Sequence, residues 1–475
     1  MRGGRGGPPV GAGIRGVTVG AIVGNCLLGM VLPSGTVAGQ QITAVTIDSI
    51  APYEGAAGYI YLEATMNGRV TREDGSEGEY SVPLILKYPA DDGNGVGVVD
   101  WVNSSRLQNF DWLEDEFLIG QILLTTAGDY LLEEGYTYAA VQWGKSITEI
   151  FGPTPPDDGR RYNHLAYGTI ERGPDAFQIL RDVAHVLRDP SPLQSDRAPS
   201  PVDVVLSAGY SQTGALQMAF LSQGQNAKDG ELVYDGHLIS KIGNICPQLD
   251  DVPPDFGMIP VPCTEDPTGD GSKVIHVVAQ GDLEAMFMAA LVRFEDDPNW
   301  RQYELAGVAH IPPSIIDIGG RQNPIESAPV IRGALRSLSL WITEGTPPPP
   351  SRFIAGSIDD EGNLNTTLDA DGNAVGGLRL PHMEQVIEGR PAGAPLGTYA
   401  GLDPAGEPPF GMFGGAFVPF SDEELRERYP DHEAYVERVT RAADRLLEEG
   451  YIVEADRDAY VRDATRSSIG RSPPR

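Results

Sequence analysis

Histidine, cysteine and positive charge are scarce in this 475-residue chain: 7 histidines, 3 cysteines, and 35 Lys+Arg against 67 Asp+Glu. The formal charge of −32 repels nucleic acid at long range, and an anionic membrane surface as well. No HExxH pair and no paired CxxC occurs, so no catalytic metal is expected. No phosphate-binding loop occurs, and no glycine fingerprint joins a strand to a helix, so no cofactor is expected either. Beyond residue 32 no run is long and apolar enough to span a membrane. With 41% hydrophobic and 21% charged residues the chain can still bury a large core, while 58 glycines and 39 prolines imply long ordered loops.

The first 38 residues read differently from the rest. Arg2, Arg5 and Arg15 precede the apolar stretch VTVGAIVGNCLLGMVL (17 to 32), and small residues follow through Thr36 to Ala38. That is the order of a secretory signal cut after Ala38, with an uncleaved anchor as the alternative. Asn25 before Cys26 is too large for a lipoprotein signal, which needs a small residue there. Export would place the mature chain outside the cytoplasm, secreted or periplasmic, with no membrane attachment after cleavage. Cys26 would leave with the signal. Cys246 and Cys263, flanking a proline-rich loop, would then form one disulfide, the alternative being two buried thiols.

Residues 41 to 102 read as strands, in part alternating and rich in β-branched residues. From about residue 95 strands alternate with helices: GVGVVDWV, YTYAAVQW, VDVVLSAGY, YDGHLISKIG, KVIHVVAQGD and RQYELAG are the strands. The helices include 176 to 188, GALQMAFLS and PVIRGALRSLSLWITEG. This pattern predicts an α/β fold with a mostly parallel sheet flanked by helices. Two stretches, 144 to 172 and 345 to 418, read as long loop insertions that wall a pocket. DDEGN and DADGN within the second read as turns, because the spacing of a calcium loop is incomplete. Helices return after Ser421, whose partner Glu424 makes a capping box, and residues 466 to 475 read as a disordered tail. The expected domain therefore covers 39 to 465.

Chemistry concentrates at GYSQTG (209 to 214), between a strand and a helix. Gly209-Tyr210-Ser211 fits the first half of a G-x-S-x-G elbow, but Thr213 stands where the second glycine belongs. Ser211 is thus either a nucleophile or an ordinary helix cap. A serine nucleophile needs a base, a group that orients the base, and donors for the oxyanion. Asp282 follows one strand and His310 the next, in the order Ser, acid, His. Glu284 is an alternative acid. The oxyanion donors are expected at the N–H of Gln212 and around Asn103 and Ser104. His185, His237 and His276 read as structural, whereas His164 and His382 lie in the long loops.

These segments resemble the bacterial alpha/beta hydrolase domain-containing proteins with a G-x-S-Q-[ST]-G elbow. The resemblance rests on GYSQTG, VVDWVN (98 to 103), YDGHLI (234 to 239), ELAGVAH (304 to 310) and the segment from GGAFVPFSDEELRERYPDHEAYV to its end near 465. It implies an alpha/beta-hydrolase fold with a helical C-terminal extension, Ser211 as nucleophile and His310 as base. Ala215 departs from an arginine common in the family, and Gln280 stands where the family carries a glutamate, which favours Asp282 as the acid. The expected activity is serine hydrolysis of a small or medium-sized carboxylic ester. Acyl transfer, amide or peptide hydrolysis, and non-catalytic ligand binding on the same fold are the alternatives. Oligomeric state is not legible.

Overall fold

Alternating polar and apolar residues build the first part of the sheet, and almost wholly apolar runs build the rest. In a computed structural model, residues 41–72, 74–103, 121–141, 143, 175–228, 230–243, 245–246, 263, 266–284, 293, 298–406 and 411–471 are described. Strands β1 (Ile42–Pro52), β2 (Tyr59–Thr71) and β3 (Glu77–Pro89) form an antiparallel meander. Then come β4 (Val96–Trp101), β5 (Thr137–Val141), β6 (Val204–Tyr210), β7 (Gly236–Ser240), β8 (Lys273–Ala279) and β9 (Trp300–Leu305). The 9-stranded sheet has the spatial order β1-β2-β3-β5-β4-β6-β7-β8-β9. From β5 to β9 every neighbouring pair is parallel. Strands β4, β5 and β7 are buried at every position, as a parallel sheet covered on both faces requires.

Helices α1 (Ile122–Glu133), α2 (Asp175–Arg188), α3 (Gln212–Ser222), α4 (Gln280–Glu284) and α5 (Ala328–Thr343) cover the sheet. The strand period of two sorts the core into two layers. Val98, Tyr138, Ala140 and Leu206 pack on the face that α1 and α5 cover. Val99, Trp101, Val141 and Val205 pack on the face of α2 and α3, where Trp101 meets Phe220 edge to face at 5.4 Å.

The stretch 345 to 418, expected to be loop, carries short two-stranded ladders. These pair Gly356–Ile358 with Leu364–Thr366, Gln385–Ile387 with Arg390–Ala392, and Gly397–Ala400 with Ala416–Pro419. It also covers the edge of β9: Arg352 N–H donates to Gln302 O and Leu378 N–H to Glu304 O. An unpaired edge strand invites pairing with another chain, and this coat removes that edge. Asp359 and Asp369 each accept backbone N–H groups two and four residues on, so both acidic motifs are side-chain-stapled turns. Among the described residues no group of three or more His, Cys, Asp or Glu side chains is arranged to hold a metal ion.

The C-terminal helices are α6 (Asp422–Arg428), α7 (His432–Glu449) and α8 (Glu454–Arg466). Ser421 and Glu424 make the expected capping box, and α7 stops at Gly450, whose φ of 85° suits glycine. Residues beyond 466, expected to fray, are held as far as Arg471: Ile469 O accepts from His432 Nδ1–H, and Arg471 donates to Thr465 O. The sulfurs of Cys246 and Cys263 are 2.11 Å apart, a covalent link across a sequence separation of 17. Closing a loop of that length restricts the unfolded chain by roughly 3 kcal/mol. Among the described residues no helix is long and apolar enough to cross a membrane.

Candidate active site

Strand β6 ends at Tyr210 and α3 begins at Gln212, so Ser211 alone turns the chain. It does so at φ 56° and ψ −115°, a strained conformation for a residue with a Cβ. The backbone leading into it is pinned. Ser211 N–H donates to Ser240 O at the end of β7, and Ser240 Oγ–H donates to Gly209 O. The Ser211 side chain makes no capping bond to α3. Its Oγ lies 2.9 Å from Nε2 of His310 instead. The helix-cap alternative for Ser211 therefore does not describe this turn.

His310 follows β9 on a loop held from several sides. Tyr210 O–H donates to its carbonyl oxygen, and its ring packs beside Tyr210 and Phe413, with centroids 6.0 and 5.6 Å away. Phe413 brings part of the 345 to 418 stretch to the site. Nδ1 of His310 lies 2.6 Å from Oδ1 of Asp282. Oδ2 of the same carboxylate accepts Ala279 N–H at 2.8 Å, which fixes its plane. Glu284, the alternative acid, is directed elsewhere: its Oε1 accepts from Gln280 and from Thr366 Oγ1. Asp282 is fully buried and His310 nearly so, while Ser211 is half-buried. This is the arrangement an activated serine needs: proton acceptor within hydrogen-bond reach, acceptor oriented by a carboxylate.

The missing second glycine has a physical account. Gly209 is indispensable, since a Cβ there would lie 2.6 Å from Thr213 O. The other close approach falls at Gly214, where a Cβ would lie 3.1 Å from Ser240 O and 2.8 Å from Ile242 Cγ2. Thr213 is free to carry a side chain, and its hydroxyl is used. Tyr210 N–H donates to Thr213 Oγ1 at 2.9 Å, and Thr213 Oγ1–H donates back to Tyr210 O at 3.1 Å. Thr213 therefore buttresses the turn. Thr213→Val keeps the shape and strips Tyr210 N–H of its acceptor, an expected loss of about 1–3 kcal/mol, whereas Thr213→Ser stays near the parent. Chemical denaturation measures this; a Val variant with an unchanged midpoint would mean that the hydroxyl contributes nothing.

Gln212 is the first residue of α3, so its N–H has no intrahelical acceptor and is available to an anion. Asn103, the other expected oxyanion residue, lies just past β4 and donates from Nδ2 to Tyr210 O at 2.9 Å. Ser104 lies outside the described residues, as does His164. The remaining histidines sit in the interior or on a helix. Nδ1 of His237 is 2.7 Å from Ser207 Oγ, and His276 Nε2–H donates to Ile242 O. Burial pushes His237 down to about 3, and His276 and His382 to about 4, so all three are neutral at neutral pH. His382 packs between Tyr399 and Tyr460. His185 lies in α2.

Beneath the site, Asp100 on β4 is buried. It accepts from Tyr138 O–H and Leu123 N–H, and burial pushes it up to about 7. Lys87, its buried counter-charge on β3, lies over the rings of Tyr53, Tyr61 and Tyr138. Sequence patterning singles out neither charge: Asp100 follows the apolar run VGVV and Lys87 the run PLIL.

A parallel sheet with an elbow serine after β6, a carboxylate after β8 and a histidine after β9 defines the alpha/beta hydrolase class. The family model for the alpha/beta hydrolase domain matches residues 53–462, and the chain belongs to that family. No curated protein matches the chain at a significant level. Solved structures similar to it include a CE15 glucuronoyl esterase from Teredinibacter turnerae T7901, at 15% identity, TM-score 0.30, with 53% of this chain and 68% of that chain covered. The rice cell wall degrading esterase LipA from Xanthomonas oryzae is 14% identical with TM-score 0.24, covering 42% of this chain and 50% of that one. A putative lipase from Sulfolobus solfataricus is also 14% identical with TM-score 0.24, covering 41% and 49%.

Proposed function

We propose that the chain is a serine hydrolase acting on a carboxylic ester of a small or medium-sized molecule. The observation that carries this reading is the continuous relay from Ser211 Oγ to His310 Nε2 at 2.9 Å and from His310 Nδ1 to Asp282 at 2.6 Å. In the proposed cycle His310 takes the Ser211 proton as Oγ attacks the ester carbonyl. Gln212 N–H, with a donor from the Asn103–Ser104 segment, receives the negative charge on the carbonyl oxygen. Asp282 holds the imidazole with its proton on Nδ1 and stabilises the imidazolium. His310 then gives its Nε2 proton to the departing alcohol, leaving an acyl-Ser211. Water, deprotonated by His310, releases the acid and restores the serine.

Residues 1–38 act in this reading as an export signal, leaving a mature hydrolase domain outside the cytoplasm with no cofactor. The Cys246–Cys263 bridge supports an oxidising compartment. A series of p-nitrophenyl esters of rising acyl length, with matched anilides beside it, tests the bond class. Short and medium esters are expected to be cleaved at least about a hundredfold faster than the anilides, whose leaving groups need protonation earlier. Anilides cleaved as fast as esters would favour an amidase instead, and the absence of turnover on both would count against a hydrolase.

A further inference from the structure

Directly after β7, which lies between β6 and β8, the chain buries a lysine. Lys241 has no exposed surface and a φ of 57°, a conformation that costs a non-glycine residue about 1 kcal/mol or more. Its backbone is pinned, with Lys241 N–H donating to Val277 O on β8, while His276 holds the next carbonyl. Its Nζ donates to Ala309 O, one residue before His310, at 2.6 Å. The residue before it, Ser240, is the one that holds the backbone leading into Ser211 at two points. The short segment 240–242 therefore ties the nucleophile's turn to the base's loop.

A clamp alone does not call for a cation. Burying an ammonium is expensive, and a well-packed apolar side chain is often as stable or more so in such a place. Two carboxylates lie within electrostatic range of Lys241, Asp282 and Glu326, and neither forms a direct ion pair with it among the described residues. Burial outweighs both and pulls the Lys241 ammonium down to about 8, so it remains largely charged at neutral pH. Asp282 Oδ1 lies 2.6 Å from His310 Nδ1, so a cation that acts on this carboxylate offsets the negative charge the imidazole faces. An imidazole that stays protonated cannot take the serine proton.

We propose that Lys241 is a positioning residue for the Ser211–His310 pair. It clamps the His310 loop through Ala309 O, and its buried positive charge keeps His310 in the neutral, proton-accepting form to lower pH. This rests on the serine-hydrolase reading above. The titratable and charged groups that face this pair among the described residues are Asp282 from α4, His276 from β8, Tyr210 from β6, Lys241 after β7 and Glu326 before α5. His276 and Tyr210 are both neutral at neutral pH, leaving Lys241 as the only cation of the set.

The test is the pH dependence of fluorophosphonate inactivation of the full chain, which reads the free protein's base without any knowledge of the natural substrate. In Lys241→Met the acid limb is expected to move up by about one pH unit, because loss of a nearby cation stabilises the imidazolium. Lys241→Arg keeps the charge and holds the limb near the parent position. Glu326→Gln retains Lys241, removes a carboxylate, and moves the limb down, which covers the case in which Lys241→Met does not fold. A folded Lys241→Met with an unmoved limb and merely a lower plateau or melting temperature would reduce Lys241 to a structural residue and overturn the proposal. With Lys241→Met unfolded, a limb that moves up in Lys241→Arg, or one that stays unmoved in Glu326→Gln, would overturn it as well. A wild-type chain that does not react at all would instead refute the Ser211 reading, and this proposal with it.

Discussion

Ser211→Ala is expected to lower kcat/KM for an activated ester by about five orders of magnitude, leaving only what binding and oxyanion stabilisation supply. The loss is expected to be nearly pure chemistry. The Ser211 hydroxyl contacts the His310 ring and makes no capping bond to α3, so its removal leaves the fold intact. The left-handed φ of 56° stays with the backbone whatever the side chain. Ser211→Gly should consequently be inactive and also more stable than the parent, by about 1 kcal/mol, because glycine relieves that strain. Steady-state kinetics beside thermal melts read both effects. A Ser211→Ala variant within tenfold of the parent would remove Ser211 from the chemistry.

Asp282→Asn is expected to lower kcat by about four orders of magnitude, through the histidine's tautomer. The local geometry dictates the direction. Ala279 N–H donates to Oδ2, so the carbonyl oxygen of an asparagine must take that position. Its NH2 group is then turned toward His310 Nδ1, 2.6 Å away in the parent. Nδ1 becomes an acceptor, the ring proton moves to Nε2, and the nitrogen facing Ser211 loses its lone pair for the serine proton. Glu284→Gln, by contrast, keeps a hydrogen-bonding partner for Gln280 and Thr366 and is expected to stay within a fewfold of the parent. The reverse ranking of these two variants would transfer the acid role to Glu284.

The elbow and its downstream partners were legible because each rests on local order along the chain. A buried strand, then Gly-x-Ser, then a helix is a short-range pattern, and the acid and histidine each follow their own strand. The choice between Asp282 and Glu284 was less legible. It turns on Thr366, 82 residues downstream, which occupies Glu284. Thr213 showed in the sequence only as a residue standing where the second glycine belongs, yet its hydroxyl bridges both polar groups of Tyr210, a contact set by the turn and not by the motif. The ladders within 345 to 418 are three or four residues long, too short for alternation to show. Helix α8 falls within the expected helical extension but shows no apolar period of its own, because its composition is mostly polar, with only Asp456 and Ala464 buried. Lys87, Asp100 and Lys241 escaped for a related reason: a buried charge is defined by partners from other strands.

The most direct measurement is intact-mass analysis, with peptide mapping, after treatment of the wild-type chain with a fluorophosphonate. The expected result is one phosphonyl group, located on Ser211, with no adduct in Ser211→Ala and a severely slowed reaction in His310→Ala. A wild-type chain that remains unmodified, or carries the group on another residue, would contradict the assignment of Ser211 as a nucleophile activated by His310.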